Sequence, residues 1–475
     1  MSSLARHLID GTWEDGDRAV DVMNPADGSV VGRLAWGSGA DAVRAADAAA
    51  AALAGWADLP ARRRADLLLE AGRLIAGRAE AIGGVLAREA GKRLPEAVGE
   101  VGFSAEYFRW FAEQARRPAG EVIPHEVADR RHLTLRRPAG VVASLTPWNF
   151  PCSIQARKLA PALAAGCTVV ARVSEKAPLA VTLLLECLVD AGIPAGVVNL
   201  VHGPAREVTQ SLLDHDAVRV VTFTGSTAVG REIMSRAARR VVRPLLELGG
   251  DAAFIVCEDA DVEAAVEGAM VAKFRNTGQS CIAANRFIVH DRVYDAFVES
   301  LVARVEAMTV GNGLAQPCPD LGPVIDADRV EAVRSLMDEA LSLGATRLTR
   351  ETSLPDYGTY VSPALLGDVS DTSRLATEEV FGPVAAVFRF QDDHEALRRA
   401  NATEMGLAGY IWSRDVSRCW TLAEHLEAGI VGVNNALPSV AFAPMGGVKQ
   451  SGLGREGASL GLAEFEDVRY VALGL

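Results

Sequence analysis

From residue 41 to 114 the apolar positions recur at helical spacing in a stretch rich in Ala, Leu, Glu and Arg. Pro60 and Pro95 stand where helices can start, because a first-turn N–H has no partner to lose. The alanine run 48–52 leads into Leu53 and Trp56, which continue the stripe, so it reads as helix rather than as a disordered tract. Then Leu133-Thr134-Leu135-Arg136 alternates like a half-exposed strand, and short β-branched runs begin to alternate with longer helical ones. The pattern predicts strands over 141–145, 168–173, 197–201 and 218–223, with helices over 154–165, 177–191 and 206–213 between them. That alternation is expected of a parallel sheet covered on both faces.

A second α/β stretch begins near Asp251, with strands expected over 252–256, 287–290, 385–390 and 429–434. Two α/β domains fit better than one. The seam is placed at Leu248-Gly249-Gly250, where paired glycines allow a reversal or a close approach. The tail over 465–473 reads as strand and, with 133–137, can form a small sheet whose free edges a second subunit would cover. No internal repeat is visible.

Charge and cysteines narrow the function classes. The 475 residues carry a net charge of −13, which argues against nucleic acid or an anionic membrane as the main partner. A small anion must then meet locally placed cations. The start, 1–13, lacks an apolar core of signal-peptide length, and no apolar stretch is long enough to span a bilayer. Seven cysteines, spread singly, read as reduced thiols in a cytoplasm rather than as a disulfide framework. No Cys or His cluster has metal-ligand spacing, so no metal is expected.

Five places can carry chemistry. The strand ending at Phe223 runs into Gly225-Ser226-Thr227, a turn that delivers N–H groups and a hydroxyl to a helix start, as a phosphate would require. Glu175 follows the end of the 168–173 strand, where an acid accepts ribose hydroxyls and repels a 2′-phosphate, favouring NAD over NADP. Each has a plain alternative, an ordinary turn and a solvated helix cap. Cys167, Cys187, Cys257 and Cys419 read as small core residues and Cys318 lies in a Pro-rich loop, which sets Cys152 and Cys281 apart; Cys281, after the polar turn Asn276-Thr277-Gly278-Gln279-Ser280, is the better nucleophile candidate, with a buried structural thiol as its plain alternative. The eight histidines are scattered, which leaves a carboxylate as its base. Glu247, alone in an apolar strand end at the seam, should have its pKa raised by desolvation, although a buried acid paired with an Arg would look the same. Asn149, after the 141–145 strand, is a neutral donor suited to an oxyanion or simply a turn residue.

In order, Thr146-Pro147-Trp148-Asn149-Phe150-Pro151, Phe223-Thr224-Gly225-Ser226-Thr227, Glu247-Leu248-Gly249-Gly250, Gly278-Gln279-Ser280-Cys281 and Glu379-Val380-Phe381-Gly382-Pro383 resemble the aldehyde dehydrogenase superfamily. The resemblance runs from about Asn24-Pro25 to the end. Glu89-Ala90-Gly91-Lys92, Lys273-Phe274-Arg275-Asn276 and the stretch from Gly447 to Gly457 look most like the succinate-semialdehyde dehydrogenases.

The resemblance implies a Rossmann-like NAD-binding domain (1–118 and 138–248), an α/β catalytic domain (249–448) and a small β oligomerisation element (119–137 and 449–475) of a homodimer or homotetramer. It matches Cys281 to the nucleophile, Glu247 to the general base, Asn149 to the oxyanion donor, and Lys158 and Glu456 to a proton relay. Trp148, Arg172, Glu175, Gly225, Ser226, Leu248, Glu379 and Phe381 match cofactor contacts, and Arg157, Arg275 and Ser439 match the grip on a distal carboxylate. The implied activity is NAD-dependent oxidation of succinate semialdehyde to succinate through a Cys281 thioester. Another semialdehyde, a phosphonate-bearing or aromatic aldehyde, or a catalytically silent binding protein of the same fold are the alternatives. Arg172-Val173 stands where the family has Lys-Pro, Asp251 replaces a common Lys or Asn, Met445 replaces a common Phe, and Phe442 and Ala443 are apolar beside Ser439.

Overall fold

The computed structural model describes residues 4–117 and 119–475; residues 1–3 and the expected boundary at residue 118 lie outside them. The helical opening resolves into four helices, Gly39–Ala57, Ala61–Gly77, Ala79–Ala90 and Leu94–Gln114. Pro60 is the N-cap of the second, and Pro95 lies in the first turn of the fourth.

Five parallel strands form the centre of an eight-stranded sheet, in the order Arg243–Glu247, Val218–Thr224, Val141–Thr146, Thr168–Val173, Val198–Leu200. The chain order of these strands reverses between Val141–Thr146 and Val218–Thr224. Such a switch point leaves a crevice at the carboxyl ends of the two strands, where nucleotides bind in sheets of this kind. Antiparallel additions close both edges: His7–Ile9 with Thr12–Glu14 on one side and Gly452–Leu453 on the other. The last pair shows the chain returning to this sheet after residue 449, before it enters the small one.

The second sheet has seven strands, ordered Thr346–Arg347, Ala364–Gly367, Val384–Phe390, Ala284–His290, Ala252–Val256, Ala408–Trp412, Ile430–Val433, parallel except at the first. Each sheet has its own apolar core, one around Phe108, Leu159 and Leu184, the other around Phe254, Phe287 and Tyr410. Arg130–Pro138 pairs antiparallel with Glu466–Gly474, as expected, and with Val122–Ile123. A further sheet of Leu4–Ala5, Val30–Trp36 and Arg18–Met23 was not expected. Among the described residues no helix is long and apolar enough to cross a membrane.

Candidate active site

Cys281 is presented by a strained turn. Helix Val262–Phe274 ends at Phe274, and Asn276, Thr277 and Gly278 follow with φ of 51°, 56° and 74°. Left-handed backbone costs a non-glycine residue roughly 1–2 kcal/mol, so the turn must be held by its surroundings. Asn276 N–H donates to Glu96 Oε1 at 3.2 Å, and its side-chain amide donates to the carbonyls of Asn149 and Gln279, both at 3.0 Å. Thr277 Oγ1 donates to Gly322 O, and Ile325 N–H donates to Gln279 Oε1. A Cβ on Gly250 would lie 2.0 Å from Cys281 O, so only glycine there lets the seam touch the cysteine loop.

Glu247, at the end of strand Arg243–Glu247, faces that cysteine. Cys281 Sγ donates to Glu247 Oε1 at 3.8 Å, and Glu247 Oε2 accepts from Arg157 Nη2 at 2.7 Å and Thr224 Oγ1 at 3.2 Å. Arg157 Nε lies 2.7 Å from Glu456 Oε2, and Glu456 Oε1 takes a short ion pair from Lys158 Nζ, which also donates to Thr222 Oγ1 at 2.9 Å. Helix Pro151–Ala165 therefore supplies two cations, side by side, to two carboxylates from different segments. All four are buried.

Desolvation and pairing split these carboxylates apart. Burial raises the pKa of Glu247, with Arg157 opposing and Glu456 adding to the rise. Burial also works against ionisation of Glu456, but Lys158 and Arg157 outweigh it and hold that group low. Burial and Glu247 push the Cys281 thiol well above its usual range. A protonated thiol beside a carboxylate of raised pKa is a pair between which one proton can move, the arrangement a base-activated nucleophile needs. Asn149, buried after strand Val141–Thr146, donates its Nδ2 to Gln279 O at 3.2 Å, which fixes its amide against the cysteine loop.

The switch-point crevice carries the expected cofactor residues. Ser226 is the exposed N-cap of helix Thr227–Ala237, and its side chain makes no capping bond, leaving the first-turn N–H groups facing outward. Gly230 of this helix packs on Leu248, where a Cβ would lie 2.4 Å from a Leu248 methyl. Glu175 is exposed and pairs with Arg172 Nη2 at 2.7 Å; burial opposes its charge, yet Arg172 keeps its pKa below the ordinary value. The buried Arg172 Nε has no hydrogen-bond partner among the described residues. Trp148 meets Phe381 edge-on with centroids 5.5 Å apart, and Glu379 accepts from Gly250 N–H at 3.1 Å, its pKa raised by burial to about 7. An open helix start, an exposed carboxylate just past a strand end and an aromatic pair fit a dinucleotide.

The three expected anion-binding residues do not stand alike. Arg275 lies over the Phe150 ring at 5.2 Å and has no ion-pair partner among the described residues. Arg157 is already engaged by Glu247 and Glu456. Ser439 Oγ lies 3.4 Å from Met445 Sδ, the atom that Arg157 Nη1 also contacts, so the sulfur separates hydroxyl from guanidinium. Met445 and Glu456 exchange backbone hydrogen bonds at 2.7 Å, tying this loop to the buried carboxylate. Phe442, 64% exposed, tilts against Trp110 at 6.1 Å.

Sequence reasoning did not single out Thr224 or Tyr107. Thr224 lay within a quoted motif, but only folding shows that its hydroxyl reaches Glu247. Tyr107 is buried beside Arg157, and helix Leu94–Gln114 gave no signal beyond its apolar stripe.

Residues 13–471 match the Aldehyde dehydrogenase family. The chain is 42% identical over 468 residues to the glutarate-semialdehyde dehydrogenase of Pseudomonas aeruginosa, covering 98% of this chain and 97% of the relative. It is also 42% identical over 471 residues to the NADP(+) succinate-semialdehyde dehydrogenase GabD of Escherichia coli, with 98% and 97% covered. The crystal structure of an aldehyde dehydrogenase from Brucella melitensis biovar abortus superposes with a TM-score of 0.97 at 44% identity, over 99% of this chain and 97% of that one.

Proposed function

Since the chain belongs to the aldehyde dehydrogenase family, we propose that this oxidoreductase takes a short anionic aldehyde, with succinate semialdehyde as the foremost substrate and NAD as the favoured cofactor. The observation that carries the reading is the meeting of Cys281 Sγ with Glu247 Oε1 at 3.8 Å beside a crevice fit for a dinucleotide. A dinucleotide bound in that crevice would supply a hydride acceptor.

The residues of the chain do the rest. Glu247 takes the thiol proton, and the Cys281 thiolate attacks the aldehyde carbon to give a hemithioacetal whose oxyanion is held by Asn149 Nδ2 and the Cys281 N–H. After oxidation to the thioester, Glu247 removes a proton from water, which displaces the sulfur and releases the acid. Lys158 and Glu456 pass each proton away from the base, the thiol proton before water is activated and the water proton after it, so Glu247 is a carboxylate at the start of both steps. A retained base supports hydrolysis over transfer to another thiol, and a silent binding protein would have no need of the pair.

Arg275, seated on an aromatic ring and within no carboxylate's ion-pair distance among the described residues although Glu96 feels its charge, supports an anionic substrate, with Arg157 and Ser439 completing the grip. The similar enzymes named above act on semialdehydes of different length, so chain length is the finer question. Glu175 supports NAD over NADP, since a 2′-phosphate would meet a carboxylate. We also read the two large sheets as cofactor and catalytic domains. The small sheet, which exposes Val122, Val468 and Tyr470, is read as the contact of a homodimer or homotetramer. Seven unpaired thiols suit a reducing cytoplasm.

The test is a substrate panel followed by reduced-cofactor absorbance, with NAD and NADP side by side. The reading expects the highest kcat/KM for a four- or five-carbon semialdehyde with NAD. Equal kcat/KM for neutral aldehydes of the same length would contradict it.

A further inference from the structure

Arg157 is expected to bind the substrate's distal carboxylate, yet its guanidinium is bonded to the base. Nη2 donates to Glu247 Oε2 at 2.7 Å, Nε faces Glu456 at 2.7 Å, Nη1 contacts the thioether of Met445, and the Tyr107 hydroxyl is hydrogen-bonded to the same guanidinium. A thioether is a weak acceptor, so the Nη1 edge of this buried cation has no ion-pair partner among the described residues. Ser439 Oγ lies on the far side of that sulfur at 3.4 Å. An anion arriving past Ser439 would displace the sulfur, reach Nη1, and compete with Glu247 for Nη2, because a guanidinium edge presents two parallel donors to one carboxylate.

We infer that Arg157 is a positioning residue that clamps the Glu247 carboxylate in the free enzyme, and that the distal carboxylate of an anionic aldehyde draws the guanidinium away and releases the base. The inference rests on the anionic-substrate reading above. The charge remains on the acyl group of the thioester, so the base stays released through deacylation. A neutral aldehyde leaves the clamp closed. Glu247 would then keep only Thr224 Oγ1 when the anion is bound, and only then is it free to meet water near the sulfur.

The groups that face Glu247 fix the sign of the pH effect. They are Arg157 and Lys158 from helix Pro151–Ala165, Glu456 from the segment after Gly452–Leu453, Cys281, and Tyr107 beside Arg157, with Glu379 acting on Cys281. Arg157 is the cation in contact with the carboxylate, so withdrawing it disfavours the ionised base and moves the deacylation midpoint to higher pH.

The experiment compares succinate semialdehyde with butanal, its uncharged counterpart of equal length. The steady-state rate after the first turnover is measured against pH in wild type, R157K and R157Q. In wild type the anionic aldehyde should deacylate about tenfold faster at its plateau, with the higher pH midpoint. In R157Q the two midpoints should coincide, with the butanal midpoint moved up and its rate brought to that of the anion; R157K should restore part of the difference. Coincident midpoints in wild type, which needs no variant to fold, would overturn the inference, as would a difference that survives unchanged in R157Q. Failure of the anionic-substrate reading looks different: Arg275→Ala would then affect both aldehydes equally. The clamp would still be read from butanal alone, whose midpoint must rise in R157Q.

Discussion

Glu247 and Asp251 stand four residues apart on either side of the glycine pair, both buried and each bound by an arginine, at 2.7 Å and 2.9 Å. What differs is where the arginines send their remaining donors. Arg286 donates to the backbone carbonyls of Arg399, Asp251 and Ala400 at 2.8–2.9 Å, so every partner is fixed by the fold. Arg157 meets two side-chain carboxylates and a thioether, all of which can change rotamer. A buried charge satisfied by backbone is scaffold, while one satisfied by mobile side chains can take part in chemistry.

The sharpest way to break this comparison is to remove the reacting sulfur. Cys281→Ala should lower cofactor reduction by at least about 10³-fold, with the urea midpoint unchanged. Measurable turnover in that variant would move the chemistry to another group. Next, Glu247→Gln should cut the steady-state rate by about 10²-fold or more while leaving a single-turnover burst, whereas Arg286→Met should cost about 3–5 kcal/mol of stability with kcat per folded molecule preserved. Burst kinetics and urea titration on the two variants separate these effects. A destabilised Glu247→Gln or a folded but inactive Arg286→Met would reverse the assignments. Wild-type deacylation should rise with pH, because the base acts as carboxylate and its pKa is raised above the ordinary 4.5 by burial; Glu247→Gln should lose that limb.

Smaller effects refine the picture. Arg275→Ala should raise KM for an anionic aldehyde about tenfold, from the loss of a charge-assisted bond, and leave a neutral one nearly unchanged. Glu175→Ser should narrow the preference for NAD over NADP by about tenfold, the effect of about 1.4 kcal/mol of like-charge repulsion. Parallel titrations of the two cofactors would show it, and an unchanged ratio would place the 2′-hydroxyl away from residue 175.

Much of this was legible before folding. Thr168–Val173 and Ala252–Val256 fell on the expected residues, because β-branched runs bounded by turn signals leave little choice. Ala408–Trp412 and Ala364–Gly367 went unread. Both are short and buried on both faces, so they show no alternation; Ala364–Gly367 has no strong strand former, and Ala408–Trp412 has only the brief run Tyr410-Ile411-Trp412. In the site, Cys281 and Glu247 could be singled out by residue type and setting. The partner of Arg157 could not, since a sequence shows that an arginine is present but not which of several carboxylates reaches it first. The left-handed run Asn276-Thr277 was equally hidden, because its cost is covered by Glu96, Asn149 and Gly322, far away in the chain.

The most direct test is to mix Glu247→Gln with NAD and succinate semialdehyde, quench after the burst, and locate the acyl group by peptide mass spectrometry. The account predicts a succinyl thioester on the peptide that carries Cys281, accumulating to one per active site. A burst with no adduct, or an adduct on Cys152 or any other cysteine, would contradict it.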